Sequence, residues 1–215
     1  MSTQKQKTAL VICNGKIPPR EYFTPYLKER PVILCADGGA NKARNINITP
    51  HLIIGDLDSI TEQTRKAFQH IPIIHLADQY STDLEKALEY LLQHAVHSAV
   101  VFGATGNRSD HLMANFSILL KYHSKLHLQF VDEYSTVEIV DKKISFKAKR
   151  GQQISLMPMG RCEGIVTKGL KYPLENEALA LGVREGSSNE AVSSTVSVSV
   201  ARGALLLFKI HPDAQ

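Results

Sequence analysis

The chain has 215 residues, of which 43% are hydrophobic and 21% are charged, so it can bury a substantial core. Its formal net charge is +4, and the basic residues are dispersed, which disfavours a nucleic-acid binder. Three widely spaced cysteines without a C-x-x-C pair disfavour a disulfide framework and a structural zinc site. The N-terminus is polar, which disfavours a signal peptide, and the lack of a long apolar run disfavours a membrane span. We expect a cytoplasmic protein that binds neither nucleic acid nor membranes.

Up to about residue 130, short apolar runs alternate with segments whose apolar residues recur at helical spacing. The apolar runs predict six strands, at 8–13, 31–36, 51–54, 71–76, 98–102 and 126–131. The helical segments are 61–68, 83–93 and 111–122, with a further helix beginning near Ala40. This alternation is typical of a mostly parallel sheet with helices packed on it. We predict an α/β domain over residues 1–130.

After residue 130 the helical patterns stop and only strand-like runs remain. They are 136–140, 142–148, 152–157, 162–167, 192–200 and 204–210. In the run 192–200, apolar and hydroxyl residues alternate over much of its length, so one face would lie on a core and the other in water. We predict that residues 131–215 form an all-β sandwich domain.

Six aspartates follow the predicted strands or open the helices after them. They are Asp37, Asp56, Asp58, Asp78, Asp83 and Asp110. Because the carboxyl ends of parallel strands lie on one edge of a sheet, these carboxylates are expected to share that edge. A single aspartate after a strand is more often a helix cap or a turn residue. Six together would repel one another unless cations neutralise them, and carboxylate ligands suit Mg²⁺.

The glycines that follow two of the strands fit a phosphate site. Gly38 and Gly39 come directly after Asp37, and the segment 103–106 (G-A-T-G) follows another strand, where free amides and a helix N-terminus favour an anion. The chain has neither a P-loop nor a G-x-G-x-x-G fingerprint, which disfavours a P-loop kinase and a standard dehydrogenase. Arg108 is either a phosphate ligand or a surface arginine paired with Asp110.

Four segments, in this order and spacing, resemble the thiamine pyrophosphokinase (thiamine diphosphokinase) family. They are C-A-D-G-G-A-N at 35–41, I-I-G-D-L-D-S at 53–59, D-Q-Y-S-T-D-L-E-K at 78–86 and G-A-T-G-N-R-S-D-H at 103–111. A looser match extends from Gly169 to Asn189, so the resemblance spans nearly the whole chain. It implies an α/β domain followed by a β-sandwich. It also implies transfer of the pyrophosphoryl group of ATP to the thiamine hydroxyl, with AMP as the leaving group and Mg²⁺ required.

The resemblance also implies roles for individual residues and a homodimer with thiamine sites between its subunits. The implied Mg²⁺ ligands are Asp56, Asp58 and Asp83, which with Asp110 form the catalytic set. The implied ATP and phosphate residues are Asp37, Gly38, Gln79, Thr82, Lys86 and Arg108. The implied thiamine residues are Tyr172, Ser187 and Asn189. The first domain would thus bind ATP and Mg²⁺, and the second would bind thiamine.

Two positions depart from the family pattern. Tyr172 stands where the family often has tryptophan, and its weaker aromatic face would loosen the binding of a thiazolium cation. Asn107 stands between Gly106 and Arg108 where the family has a second glycine, and asparagine is the non-glycine residue that best tolerates positive φ.

The departure at Tyr172 keeps open a second function, that of a pyrophosphokinase for another primary alcohol, such as a pterin. A non-catalytic regulator that binds nucleotide or thiamine is the other alternative.

The base that accepts the hydroxyl proton is either Asp110 or Asp83. The positions of the two residues in the sequence do not decide between them. A carboxylate bound to a metal is a poor base, which favours Asp110 over the predicted metal ligand Asp83.

Overall fold

The computed structural model describes residues 8–78, 80–106 and 108–212. They divide into two compact units between Glu133 and Tyr134. Within these ranges, none of the helices combines the length and hydropathy that crossing a membrane requires.

The first unit is built on six parallel strands. They are β1 (Thr8–Ile12), β2 (Val32–Ala36), β3 (Leu52–Gly55), β4 (Ile73–His75), β5 (Ser98–Phe102) and β6 (His127–Val131). Their spatial order is β6-β5-β1-β2-β3-β4, and every adjacent pair is parallel. A 3-10 turn at Arg20–Phe23 precedes five helices, which are α1 (Thr24–Leu27), α2 (Gly39–Asn45), α3 (Glu62–Ala67), α4 (Asp83–Gln93) and α5 (Ser109–Tyr122).

The central strands β1, β2 and β5 are buried from their second residue to their last, as is typical of parallel strands inside an α/β domain. Leu10 and Ile12 of β1 are fully buried and belong to a cluster that includes Phe23. Helix α4 begins where the Thr82 side chain accepts from the Glu85 amide and the Glu85 side chain accepts from the Thr82 amide, a capping box. Apolar side chains on one face of α4 are buried, as its helical spacing predicts.

The second unit contains two antiparallel sheets. Its strands are β7 (Ser135–Val140), β8 (Lys143–Lys147), β9 (Gln153–Pro158), β10 (Arg161–Lys168), β11 (Glu175–Ala180), β12 (Gly186–Glu190), β13 (Thr195–Ser199) and β14 (Leu205–Ile210). One sheet has the order β12-β9-β14-β7 and the other β11-β10-β13-β8. Ile154 and Leu207 of the first sheet share one buried cluster with Val196 and Val198 of the second. The unit is therefore a β-sandwich, and the predicted fold class is confirmed.

Two strands of the sandwich were not predicted from the sequence. The segment of β11, E-N-E-A-L-A, is rich in residues that favour helices, and that of β12, G-S-S-N-E, has no apolar side chain at all. Both lie at the edge of their sheets, where only one side of the strand pairs and polar residues are tolerated. Hydrophobic alternation does not reveal strands of this kind.

Candidate active site

A cleft of about 660 Å³ opens at the carboxyl ends of the parallel strands in the first unit. The chain adds strands on one side of β1 first, beginning with β2, and later on its other side, beginning with β5. The loops after β1 and β5 therefore diverge at this point, where open α/β sheets bind their ligands. All six aspartates identified in the sequence line this cleft.

The loops after β1 and β5 approach each other closely at the floor of the cleft. Gly103 has φ of +74°, and a Cβ atom on it would lie 2.5 Å from the carbonyl oxygen of Cys13. The Gly15 amide donates to the Gly103 carbonyl at 3.0 Å. A side chain at position 103 would therefore be strained by its backbone conformation and by this contact.

Three carboxylates form the tightest group in the cleft. One oxygen each of Asp37, Asp56 and Asp58 lies within 4.8 Å of the other two. Asp37 is only 4% exposed, and its Oδ1 atom is buried without a hydrogen-bond partner among the described residues. A buried carboxylate oxygen without a partner is costly, whereas it suits a hard divalent cation. The donor set therefore fits Mg²⁺.

Local backbone structure brings these three carboxylates together. Asp37 has φ of +42°, and its amide donates to the Ile54 carbonyl of β3 at 2.9 Å. Between Asp56 and Asp58, Leu57 has φ of +68°, and its carbonyl accepts from the Arg65 guanidinium of α3 at 2.5 Å. The turn at Leu57 lies in the segment that carries both aspartates.

Asp83, at the start of α4, is paired with Lys86 one turn later. The Lys86 ammonium lies 3.0 Å from Asp83 Oδ1, and the Lys86 side chain is 4% exposed. Burial raises the pKa of Asp83, the Lys86 hydrogen bond and charge oppose this rise, and the charges of Asp56 and Asp37 add to it. Asp83 thus lies beside the three-carboxylate group but is bonded to a cation of the protein itself. The family resemblance implied Asp83 as a metal ligand and Asp37 as a phosphate residue; both roles stay predictions, and the tight carboxylate group contains Asp37 rather than Asp83.

Arg108 and Asp110 form an exposed, two-pronged ion pair at the beginning of α5. Arg108 Nε lies 3.1 Å from Asp110 Oδ1, and Nη2 lies 2.6 Å from Oδ2. The Arg108 hydrogen bond lowers the pKa of Asp110 to about 2. Asp110 is therefore ionised at neutral pH, and it is a weak proton acceptor in this arrangement.

The loop after β5 presents free amides beside this pair. Among the described residues, no amide of residues 103–106 donates a hydrogen bond, and the N-terminus of the 14-residue helix α5 has no side-chain cap. Successive free amides at a helix N-terminus attract anions. Together with Arg108, they form a surface suited to phosphate.

The remaining residues proposed from the sequence lie in different places. Thr82 lines the cleft and caps α4, and Gly38 is the residue that precedes α2. Gln79 lies outside the described residues, as does Asn107.

The three predicted thiamine residues belong to the second unit. Ser187 and Asn189 lie in β12. Tyr172 is 63% exposed, and its carbonyl and amide bond to the two ends of the Asn189 side-chain amide, at 2.6 and 3.1 Å.

Sequence reasoning missed Asn14, Gly15 and Asn115, which also line the cleft. A Cβ atom on Gly38 would lie 2.4 Å from the Asn14 side chain, so glycine there allows the loop after β1 to approach α2. Asn115 of α5 donates to the Ala104 carbonyl at 2.6 Å. Only the strand order reveals that the loop after β1 is part of the site, and the sequence does not give that order.

Comparison with known families identifies both units. Residues 23–130 match the model described as "Thiamin pyrophosphokinase, catalytic domain", and residues 139–205 match "Thiamin pyrophosphokinase, vitamin B1 binding domain". The chain belongs to the thiamine pyrophosphokinase family. It is therefore an enzyme of this family, and the family predicted from its motifs is confirmed.

Individual relatives cover most of the chain. Thiamine pyrophosphokinase of Bacillus subtilis is 28% identical, over 94% of this chain and 98% of its own length. Thiamin pyrophosphokinase 1 of Caenorhabditis elegans is 30% identical, over 83% and 78%. The crystal structure of the Bacillus subtilis protein superimposes with a TM-score of 0.86 at 26% identity and covers 96% of this chain and 100% of that one.

Proposed function

We propose that the chain transfers the pyrophosphoryl group of ATP to the hydroxyl of thiamine, giving thiamine diphosphate and AMP, with Mg²⁺ as cofactor. The observation that carries the proposal is the three-carboxylate group, with its unpartnered Asp37 oxygen, in the same cleft as a loop of free amides. Family membership supports thiamine as the alcohol.

Asp37, Asp56 and Asp58 would hold the Mg²⁺ ion. When bound, the ion supplies electrostatic neutralisation of the triphosphate oxygens. The protein adds two cations at the cleft, Lys86 and Arg108. Because the reaction needs little covalent chemistry from the protein, most of the rate comes from positioning and electrostatic stabilisation.

The thiamine hydroxyl oxygen would attack the β-phosphorus of ATP, the bond between this phosphorus and the oxygen bridging to the α-phosphorus would break, and AMP would leave. The hydroxyl proton needs an acceptor. Asp110 is held by Arg108 with its pKa at about 2, whereas the pKa of Asp83 is raised by burial. We therefore assign proton acceptance to Asp83 and the orientation of Arg108 to Asp110, which reverses the preference formed from sequence alone.

Tyr172, Ser187 and Asn189 are proposed to bind thiamine. All three lie in the segment that matches the vitamin B1 binding domain. Asn189 is 8% exposed, and it fixes the backbone of Tyr172 so that the exposed ring can stack on a flat cation.

We also propose that the chain forms a homodimer with thiamine sites between its subunits. Light scattering on the purified protein would test whether it is a dimer. The cytoplasmic location stays a prediction.

The test of the reaction is an assay with ATP, Mg²⁺ and thiamine in which AMP and thiamine diphosphate are both quantified. We expect the two products in equal amounts, because one transfer yields one of each. A parallel reaction contains a pterin alcohol instead of thiamine. AMP released only with the pterin would replace thiamine as the substrate, and no product from either alcohol would favour a binding regulator.

The Asp110→Asn variant tests the assignment of the base. We expect kcat to fall less than about tenfold and the KM for ATP to rise, because the variant loses only the partner that orients Arg108. The acid limb of the pH–rate profile should remain, since Asp83 is still present. A loss of kcat of about 100-fold or more, together with loss of that limb, would instead identify Asp110 as the base.

A further inference from the structure

Asn41, in the first turn of α2, links two loops that carry aspartates. Its Nδ2 atom donates to the Ser59 carbonyl at 2.8 Å. Its Oδ1 atom accepts from the amide of Thr61 at 3.1 Å and from the Thr61 hydroxyl at 3.1 Å. Both ends of one side-chain amide are thus used on the same three-residue segment.

The two loops joined in this way supply all three carboxylates of the tight group. Asp37 lies just before α2, and its backbone carbonyl accepts from the Ala40 amide at 3.0 Å, so its backbone is tied to the helix that carries Asn41. Asp56 and Asp58 lie just before Ser59, the residue that Asn41 holds. The spacing between Asp37 and the other two carboxylates therefore depends on how α2 is held against the segment 59–61.

Electrostatic repulsion acts against this spacing. Three carboxylates with oxygens within 4.8 Å of each other repel in a partly buried cleft. The backbone bond from Asp37 to Ile54 fixes the base of the first loop on β3. Asn41 fixes the second loop beyond its aspartates.

We propose that Asn41 is a positioning residue that sets the spacing of Asp37 against Asp56 and Asp58 and thereby the affinity of the site for a divalent cation. The inference rests on the proposed function, in which these carboxylates hold Mg²⁺. Partners that orient the ligands of a metal site typically change its affinity 10- to 100-fold when they are removed.

The test is a titration of the full-length protein with Mn²⁺ alone, followed by the electron paramagnetic resonance of the free ion. We expect Asn41→Ala to weaken binding about tenfold. Asn45→Ala is the matched control, because Asn45 is an exposed asparagine of the same helix and gains the same helix propensity. Melting temperatures of all variants are measured alongside.

A second variant, Asn41→Asp, separates positioning from charge. It keeps an oxygen for Thr61 but turns a carboxylate oxygen toward the Ser59 carbonyl, and it adds a negative charge near the site. Positioning predicts weaker Mn²⁺ binding for this variant, whereas a purely electrostatic role predicts tighter binding.

Unchanged Mn²⁺ affinity in Asn41→Ala relative to Asn45→Ala, or tighter binding in Asn41→Asp, overturns the proposal whatever the melting temperatures are. If the unmodified chain binds Mn²⁺ and the Asn41 variants do not weaken that binding, the proposed function stands and only this inference fails. If the unmodified chain binds no Mn²⁺, the proposed metal site is contradicted together with the inference.

Discussion

Asp37→Asn is expected to lower turnover about 1,000-fold or more and at the same time to raise the stability of the metal-free protein. Asp37 is buried, and its Oδ1 atom has no hydrogen-bond partner among the described residues. In the proposed mechanism this oxygen would be a ligand of the cation, and asparagine would offer only a neutral ligand in its place. Asparagine also tolerates the positive φ of this position, so the backbone should be retained.

The stability gain follows from the same burial. Without a cation, Asp37 contributes a charge that is removed from water and repelled by Asp56 and Asp58. We expect Asp37→Asn to increase the free energy of unfolding by about 1–2 kcal/mol in the presence of a chelator. A ligand that binds only the folded state stabilises it by about 2.7 kcal/mol at 100 times its dissociation constant. With saturating Mg²⁺, the unmodified chain should therefore be the more stable of the two.

Chemical denaturation with chelator and with Mg²⁺ measures this reversal. Asp141→Asn, an exposed aspartate of the second unit, is the control and should respond to Mg²⁺ as the unmodified chain does. Asp37→Asn with full turnover, or with an undiminished response to Mg²⁺, would contradict the assignment of Asp37 as a metal ligand.

The fold of the first unit could be predicted because strands buried on both faces are continuous apolar runs. The ranges 8–13 and 98–102 were predicted as strands, and the structure has β1 at Thr8–Ile12 and β5 at Ser98–Phe102. Helix α4 has the predicted bounds, Asp83–Gln93, because its buried stripe and its capping residues mark both the face and the start. The position of six aspartates on one edge then follows from parallel topology.

The features that could not be predicted depend on contacts distant in sequence. Strands β11 and β12 owe their conformation to pairing with β10 and β9 rather than to their own apolar pattern. Asn14 lines the cleft only because of the strand order. The burial of Asp37 depends on how β2, β3 and α2 pack together. Sequence patterns report which faces are apolar, and they do not report which loops become neighbours.

The second large effect is expected for Lys86→Met, which should lower the free energy of unfolding by about 2–3 kcal/mol in the absence of metal. Lys86 is a buried cation beside a cleft that contains six aspartates. Methionine retains much of the apolar stem but leaves Asp83 without its partner. Removing one member of a buried pair is costly because the other charge remains.

The loss should depend on pH through Asp83. Its pKa is already raised by burial, and removal of the Lys86 ammonium raises it further. A carboxyl group with a higher pKa in the folded than in the unfolded state stabilises the folded state at low pH, and this stability is lost as the pH rises through the folded-state pKa. The difference between Lys86→Met and the unmodified chain should therefore be larger at pH 8 than at pH 5.

Lys66→Met provides the matched control, because Lys66 pairs with Glu62 at 2.7 Å on the surface of α3 with side-chain exposures of 76% and 78%. Such exposed pairs contribute about 0.5 kcal/mol or less. Adding Asp83→Asn to Lys86→Met should restore part of the stability, since no unpaired carboxylate then remains at position 83. Equal losses for the two lysine variants, without pH dependence, would show that the charge of Lys86 does not hold the cleft together. The expected result would instead identify Lys86 as the internal cation that allows the protein to keep its acidic cleft folded before a metal ion binds.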